Sequence, residues 1–307
     1  MVHTSFRRSG VTRILLALLL LAAPLGAQAL NVFACEPEWG ALVAEIVRDD
    51  VELTIATTAL QDPHKLQARP SLIAAARNAD LLVCTGADLE IGWLPLLLRR
   101  AGNAKIQPGN PGHFFAAEYV RRIEIPKRID RSQGDVHPQG NPHIHLHPRN
   151  IERVAAALTD RLAEIDPPNA DAYRANADDF LARWSDAQYA WDEKISALDG
   201  TRLVSHHRSF SYLANWLGLD IVATLEPKPG IPASGAQLAR LLEQLTPNPP
   251  PGIIRAPFEN EKPALWLSER LDVPEIELPY TVGGNDNASD LFTLYDETIR
   301  MLGDLIK

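Results

Sequence analysis

No apolar run in this chain approaches the ~20 residues that a bilayer-spanning helix requires. The unbroken apolar stretch near the start, residues 14–21, falls well short, so a retained membrane span is set aside. Clustered basic and aromatic residues are also missing and the formal charge is -9, which argues against a nucleic-acid partner. There is no His-Glu-x-x-His pair of the zinc-hydrolase kind and no internal repeat at motif level. The Arg7-Arg8 pair lacks the rest of a twin-arginine signal. Cysteine is scarce: Cys35 and Cys84 are the two present, enough for one internal disulfide and no more.

What is present begins with export. Arg7, Arg8 and Arg13 form a basic start, and Ala27-Gln28-Ala29 is a small-residue cleavage pattern, so residues 1–29 read as an ordinary secretory signal cleaved near Ala29. Val32-Phe33-Ala34-Cys35 is only faintly like a lipid-attachment box and reads better as the first strand of the mature chain. Cys35 and Cys84 each end an apolar run. In an oxidising compartment they are expected to form one structural disulfide, in preference to a metal or catalytic role.

The mature chain alternates β-like and helical stretches. Strands are predicted at 31–34, 51–57, 81–85 and 119–123, and helices at 39–47, 70–78 and 93–102. That rhythm implies a parallel sheet covered by helices. Residues 127–139 are polar and aperiodic and read as a flexible loop. An amphipathic helix at 150–165 is stopped by Pro167-Pro168. Residues 170–198 then carry apolar or aromatic side chains, Tyr173, Phe180, Trp184, Tyr189 and Trp191 among them, with no Pro or Gly. One helix of about 40 Å follows. The second half repeats the rhythm, with strands at 202–205, 221–224, 252–256 and 275–278, and helices at 209–217, 234–245, 263–271 and 291–305. The expected fold class is α/β: two α/β lobes, each a mainly parallel sheet flanked by helices, joined by a long rigid backbone helix. The boundaries are 30–168, 169–199 and 200–307.

Three histidines fall on three separate connections: Asp62-Pro63-His64, Asn141-Pro142-His143 and Ser205-His206-His207. Proline restricts the backbone before the first two and gives each ring a defined direction. Taken singly, each is more often a surface or hydrogen-bonded residue. Taken together, after strand-like runs in both halves, His64, His143 and His207 are candidates for a metal cage. Neutral imidazole suits Zn²⁺, and three histidines with one oxygen complete a tetrahedral site.

These segments resemble the zinc and manganese solute-binding proteins of bacterial ABC transporters, the cluster A-I metal receptors, over essentially the whole mature chain. Asp62-Pro63-His64 with Pro70-Ser71 and Ala79-Asp80-Leu81 is similar to the family's first ligand motif, as is Gly86-Ala87-Asp88-Leu89-Glu90 with Trp93. The segment from Asn141 to Pro148 resembles the second, and Val204 to Phe210 with Tyr212 and Gly218 the third. The resemblance implies that His64, His143 and His207 are ligands. The histidine at position 207, where the family's manganese receptors carry Glu, implies zinc. Where the family usually has an Asp ligand, this chain has Tyr280-Thr281-Val282-Gly283-Gly284. Asp286 is then the expected fourth ligand, with Asp290 or a water behind it. Glu259 matches a recurrent family acid near the cleft, expected to orient an imidazole. His137, His145 and His147, with His206, are the expected auxiliary capture residues, because the family often has a mobile His-rich loop here. His113 is expected to be structural.

The implied function is that of a periplasmic high-affinity Zn²⁺ receptor, monomeric and not an enzyme. It would deliver zinc to an inner-membrane ABC permease with its ATPase, and a periplasmic zinc chaperone is a further implied partner. The long helix would limit hinge motion, so loop ordering accompanies binding. Two other readings compete: a zinc-dependent hydrolase, since three histidines and an open position is also catalytic geometry, and a zinc-storage or adhesion protein on the same fold.

Overall fold

The computed structural model describes residues 1, 29–49, 51–128, 134 and 137–306. The expected signal segment therefore lies almost wholly outside the described residues. Among them no helix is long and apolar enough to cross a membrane.

The first half runs β1 (Leu30–Ala34), α1 (Pro37–Val47), β2 (Val51–Ile55), α2 (Pro70–Asn78), β3 (Leu81–Cys84), α3 (Leu94–Ala101) and β4 (His113–Phe115). All pairings are parallel, in the order β2-β1-β3-β4. Proline stands in the first turn of each of these helices, where its fixed φ suits entry and its missing N–H costs nothing. Two helices follow, α4 (Pro148–Ile165) and α5 (Ala170–Ile195). The second half then runs β5 (Arg202–Ser205), α6 (Ser211–Leu217), β6 (Asp220–Thr224), α7 (Gly235–Leu245), β7 (Gly252–Arg255), α8 (Glu261–Leu271), β8 (Glu275–Glu277) and α9 (Leu291–Leu305). Its sheet is also parallel, in the order β6-β5-β7-β8. The two lobes thus share one strand order although no sequence motif repeats.

Strand alternation divides the core. Val32, Ala34, Leu81, Val83, Leu203 and Ile254 face one continuous cluster that also holds Ile151, Trp184 and Tyr295. Phe33, Leu82 and Cys84 face a separate outer cluster of the first lobe, while Val204 and Ile253 face that of the second. Successive residues of a strand point to opposite faces, so each sheet gives one face to its own helices and the other to a core shared by both lobes. Helix α5 lies along this shared core. Over 26 residues it reaches about 39 Å. Its buried stripe, Tyr173, Ala177, Phe180, Trp184 and Trp191, keeps the spacing of one helical face. Trp184 Nε1 donates to the Pro148 carbonyl at 3.0 Å and Trp191 Nε1 to Asp296 at 3.0 Å, which satisfies both buried indoles. Tyr189, counted with the stripe from sequence, is exposed.

One predicted strand is displaced. The edge strand of the first sheet is His113–Phe115, while 119–123 falls on a short 3-10 turn, Ala116–Tyr119, and the irregular stretch after it. Three residues are too few to show a period, whereas the longer run looked like a strand. That stretch instead crosses towards the second lobe: Ile123 N–H donates to the Tyr212 hydroxyl, which donates to the Asn141 carbonyl.

Cys35 follows β1 and Cys84 ends β3, strands whose register pairs Ala34 with Val83, so the cysteines stand side by side and are disulfide-bonded. The bridge closes a loop with a sequence separation of 49. Constraining such a loop in the unfolded chain stabilises the fold by up to about 4 kcal/mol on the chain-entropy model. Reduction, or the double substitution Cys35→Ser with Cys84→Ser, is expected to lower the unfolding free energy by about 2–4 kcal/mol in urea titrations. Superimposable oxidised and reduced curves would contradict this.

Candidate metal centre

Parallel α/β sheets leave a crevice beyond the carboxyl ends of their strands, where the strand order reverses. Here the two sheets turn those ends towards a common crevice. His64 lies in the loop after β2, His207 directly after β5, and His143 just before α4. Their ligand-capable nitrogens all lie within 4.8 Å of one another. The ring centroids are 5.5, 5.9 and 5.6 Å apart.

One local device delivers two of the three. Asp62 Oδ1 accepts the His64 backbone N–H at 3.0 Å, and Asn141 Oδ1 accepts that of His143 at 3.0 Å. In each an Asp or Asn side chain reaches the backbone two residues on, across a proline of fixed φ. Trp93 Nε1 then donates to the Pro63 carbonyl at 2.9 Å. A Cβ on Gly92 would stand 2.9 Å from the His64 carbonyl oxygen, so only glycine lets these loops close together.

Each ring is held through Nδ1 by an oxygen. His64 Nδ1 lies 2.8 Å from Asp62 Oδ1, His143 Nδ1 2.6 Å from the Tyr280 hydroxyl, and His207 Nδ1 2.6 Å from Glu226 Oε2. Such a partner sets the tautomer and leaves the Nε2 lone pair for an incoming cation. His143 Nε2 is buried and makes no hydrogen bond. A buried imidazole nitrogen beside two other imidazoles is costly to leave bare, and the three together could hold a metal ion.

The electrostatics divide the site. Burial, reinforced by the positive forms of His64, His207, His137 and His145, holds His143 well below the usual histidine range. At His207 burial is outweighed by the hydrogen bond and charge of Glu226, with Glu259 and Asp62 adding to it, and its pKa is raised. Burial likewise opposes, and the His partner overrides, at Asp62 and Glu226, which both lie below the usual carboxylate range. Two cavities flank the cage. One, of about 210 Å³, is lined by Asp62, His64, His206, His207 and Glu259, and the other, of about 450 Å³, by Glu124, His137, His143, His207 and Glu226.

The remaining expected residues fall in different places. His137 comes to the cage, its Nε2 3.2 Å from that of His64, and burial with the neighbouring histidines lowers its pKa to about 3. Residues 129–133 and 135–136 of its loop lie outside the described residues. His206 is buried beside the smaller cavity with Nδ1 unbonded. Glu259 is there too, pushed up to about 7 by burial. It accepts from Ser209 Oγ and the Ala256 N–H, so the imidazole-orienting acid is Glu226 in its stead. His145 does not face the crevice. It is fully buried, with Nε2 2.9 Å from the Tyr280 carbonyl and Nδ1 3.1 Å from Glu38 Oε1. His147 caps α4 by accepting the Arg149 N–H. Neither is placed to capture an ion from solvent. His113 is structural, bonded through Nδ1 to the Ile106 carbonyl.

Asp286 is not brought to the histidines. It is exposed on the 281–290 turn and stands outside both their group and the cavities beside it. Asp290 caps α9 through Thr293. The position where an acid was expected, Thr281, is buried and donates its hydroxyl to Glu38 at 2.5 Å. Sequence reasoning missed Glu226 and Tyr280, and gave Asp62 no role. Glu226 follows β6 directly, the one signal that could have marked it, because strand ends line the crevice.

The chain matches the family model described as zinc-uptake complex component A, periplasmic (ZnuA), over residues 32–304. It is 27% identical to the high-affinity zinc uptake system protein ZnuA of Paracoccus denitrificans, across 74% of this chain and 78% of that protein. It is 23% identical to the manganese ABC transporter substrate-binding lipoprotein PsaA of Streptococcus pneumoniae, across 76% of this chain and 74% of that one. A solved ZnuA structure superposes with a TM-score of 0.75 at 21% identity, covering 91% of this chain and all of the other.

Two outcomes follow from the geometry. His145→Ala leaves the Glu38 carboxylate buried with one partner fewer, and is expected to destabilise the fold by about 3–5 kcal/mol in denaturant titrations while metal affinity is retained. Loss of affinity without loss of stability would restore a capture role to His145. His207 must be neutral to ligate, and Glu226 holds the proton on His207 up to a higher pH than usual, so protons compete there as pH falls. Glu226→Gln is expected to lower that pKa and move the acid-side loss of metal affinity to lower pH. A profile that stays in place or moves upward would count against the arrangement.

Proposed function

The chain belongs to the periplasmic zinc-uptake component A family, and from that premise we propose that it is an exported receptor that takes Zn²⁺ as cargo between its lobes and hands it to an ABC permease. The observation that carries the reading is the convergence of His64, His143 and His207, each held through Nδ1, around a buried and unbonded His143 Nε2. Neutral imidazoles are borderline ligands that suit Zn²⁺, whereas Mn²⁺ prefers carboxylate and water oxygen. Relatives named for zinc and for manganese both occur, and the donor set is what favours zinc here.

The reading is of a binding protein. The acids hydrogen-bonded to the cage histidines, Asp62 and Glu226, are tied to the imidazoles and so are not free to act as the general base a zinc hydrolase requires. The periplasm as location, an inner-membrane permease with its ATPase, and a zinc chaperone as donor all belong to this proposal. The relatives' names as zinc-uptake or ABC substrate-binding proteins support the permease.

His64→Ala combined with His207→Ala removes two ligands and is expected to weaken zinc binding by roughly 10³-fold or more in a chelator competition. The purified parent is expected to carry about one zinc per chain by elemental analysis. A double variant that holds zinc as tightly as the parent would sink the proposal.

A further inference from the structure

We propose that His137 is the fourth metal ligand, a nitrogen delivered by the 127–139 connection that makes the centre all-imidazole. The inference rests on the zinc-receptor reading. His137 Nε2 stands 3.2 Å from His64 Nε2, with ring centroids 5.2 Å apart and the His143 ring 6.4 Å away. Two nitrogens bound to one tetrahedral Zn²⁺ at about 2.0–2.1 Å are separated by roughly 3.3 Å. The pair therefore already has the spacing of one edge of that tetrahedron. His64 Nδ1 is committed to Asp62, which leaves its Nε2 lone pair facing His137, and a cation between the rings gives both nitrogens a common acceptor.

The described residues around His137 touch both lobes. On the first, Gln139 Nε2, two residues on from His137, donates to Asp88 Oδ1 at 3.3 Å. On the second, Gly134 packs so closely against the Pro229 carbonyl that no Cβ would fit. That turn presents the Gly230 N–H to Glu226 at 2.9 Å, the acid that also holds His207. Gln139 and Gly134, on either side of His137, thus lean on one turn of the first lobe and on the turn of the second that supports Glu226. His137 also lines the larger cavity with His143 and His207, on the side where no carboxylate from the 281–290 turn is present. Four nitrogens discriminate against Mn²⁺ more strongly than three nitrogens with an oxygen, so this loop residue sets metal choice as well as affinity.

The test compares the mature parent with His137→Ala and Asp286→Ala, using Zn²⁺ in chelator competition, Mn²⁺ as competitor and Co²⁺ as a spectroscopic probe. The parent Co²⁺ complex is expected to show the intense visible bands of a four-coordinate nitrogen site. In His137→Ala those bands should weaken and shift. Zinc affinity should fall by at least about tenfold, the lower end of what losing even a supporting residue costs, and the preference over Mn²⁺ should narrow. Asp286→Ala should match the parent in all three. The inference is overturned if His137→Ala matches the parent, or if Asp286→Ala takes the loss in its place. A parent that binds no zinc defeats the receptor reading itself, which separates that failure from this one.

Discussion

The docking of the two lobes on one continuous apolar core is the constraint on which the metal centre depends. His64 and His207 belong to different sheets, and no local turn can fix the distance between them. That distance is set by residues such as Leu81, Val83, Leu203 and Ile254, which share one cluster with the aromatic stripe of α5. Close-packed interiors deform little, so the shared core sets the width of the crevice between the carboxyl ends. Buried polar contacts add direction to this apolar joint: Glu38 of α1 meets Thr281 of the second lobe, and His145 meets the Tyr280 carbonyl.

Around that fixed crevice, ring orientation is a matter of oxygen placement. Asp62, Tyr280 and Glu226 each occupy one nitrogen of a histidine and so aim the other. The three are not equivalent. A neutral phenol leaves His143 easily kept unprotonated in its buried position, whereas the Glu226 carboxylate favours the proton on His207. Burial thus disfavours the proton on His143, while Glu226 favours it on His207.

Much of the fold was legible in the sequence. The strand and helix rhythm, the Pro and Gly punctuation and the unbroken 170–198 stretch led to two parallel sheets and one long helix. The strand expected at 119–123 failed because a chain crossing between lobes can be extended without pairing, and β4 was too short to show a period. At the site, the two Asx-Pro-His turns were visible as motifs because their geometry is local. Glu226 and Tyr280 were not, since nothing within a few residues of either points to a histidine. His145 and His147 were misjudged for the converse reason: nearness to His143 in sequence says nothing about which way each ring turns once Ile144–Leu146 winds into a 3-10 turn.

By itself the sequence determined what depends on neighbours along the chain: the secondary elements, the Asx-Pro turns that present His64 and His143, and the adjacent strand ends that pair Cys35 with Cys84. Only the tertiary structure decided what depends on distance through space. It brought three histidines of widely separated sequence within one ion's reach, chose the oxygen behind each, placed His137 beside His64 and left Asp286 in solvent. The physical reason is that backbone preference acts over a few residues, whereas a coordination shell is an intersection of loops whose positions are set by how two sheets share one core.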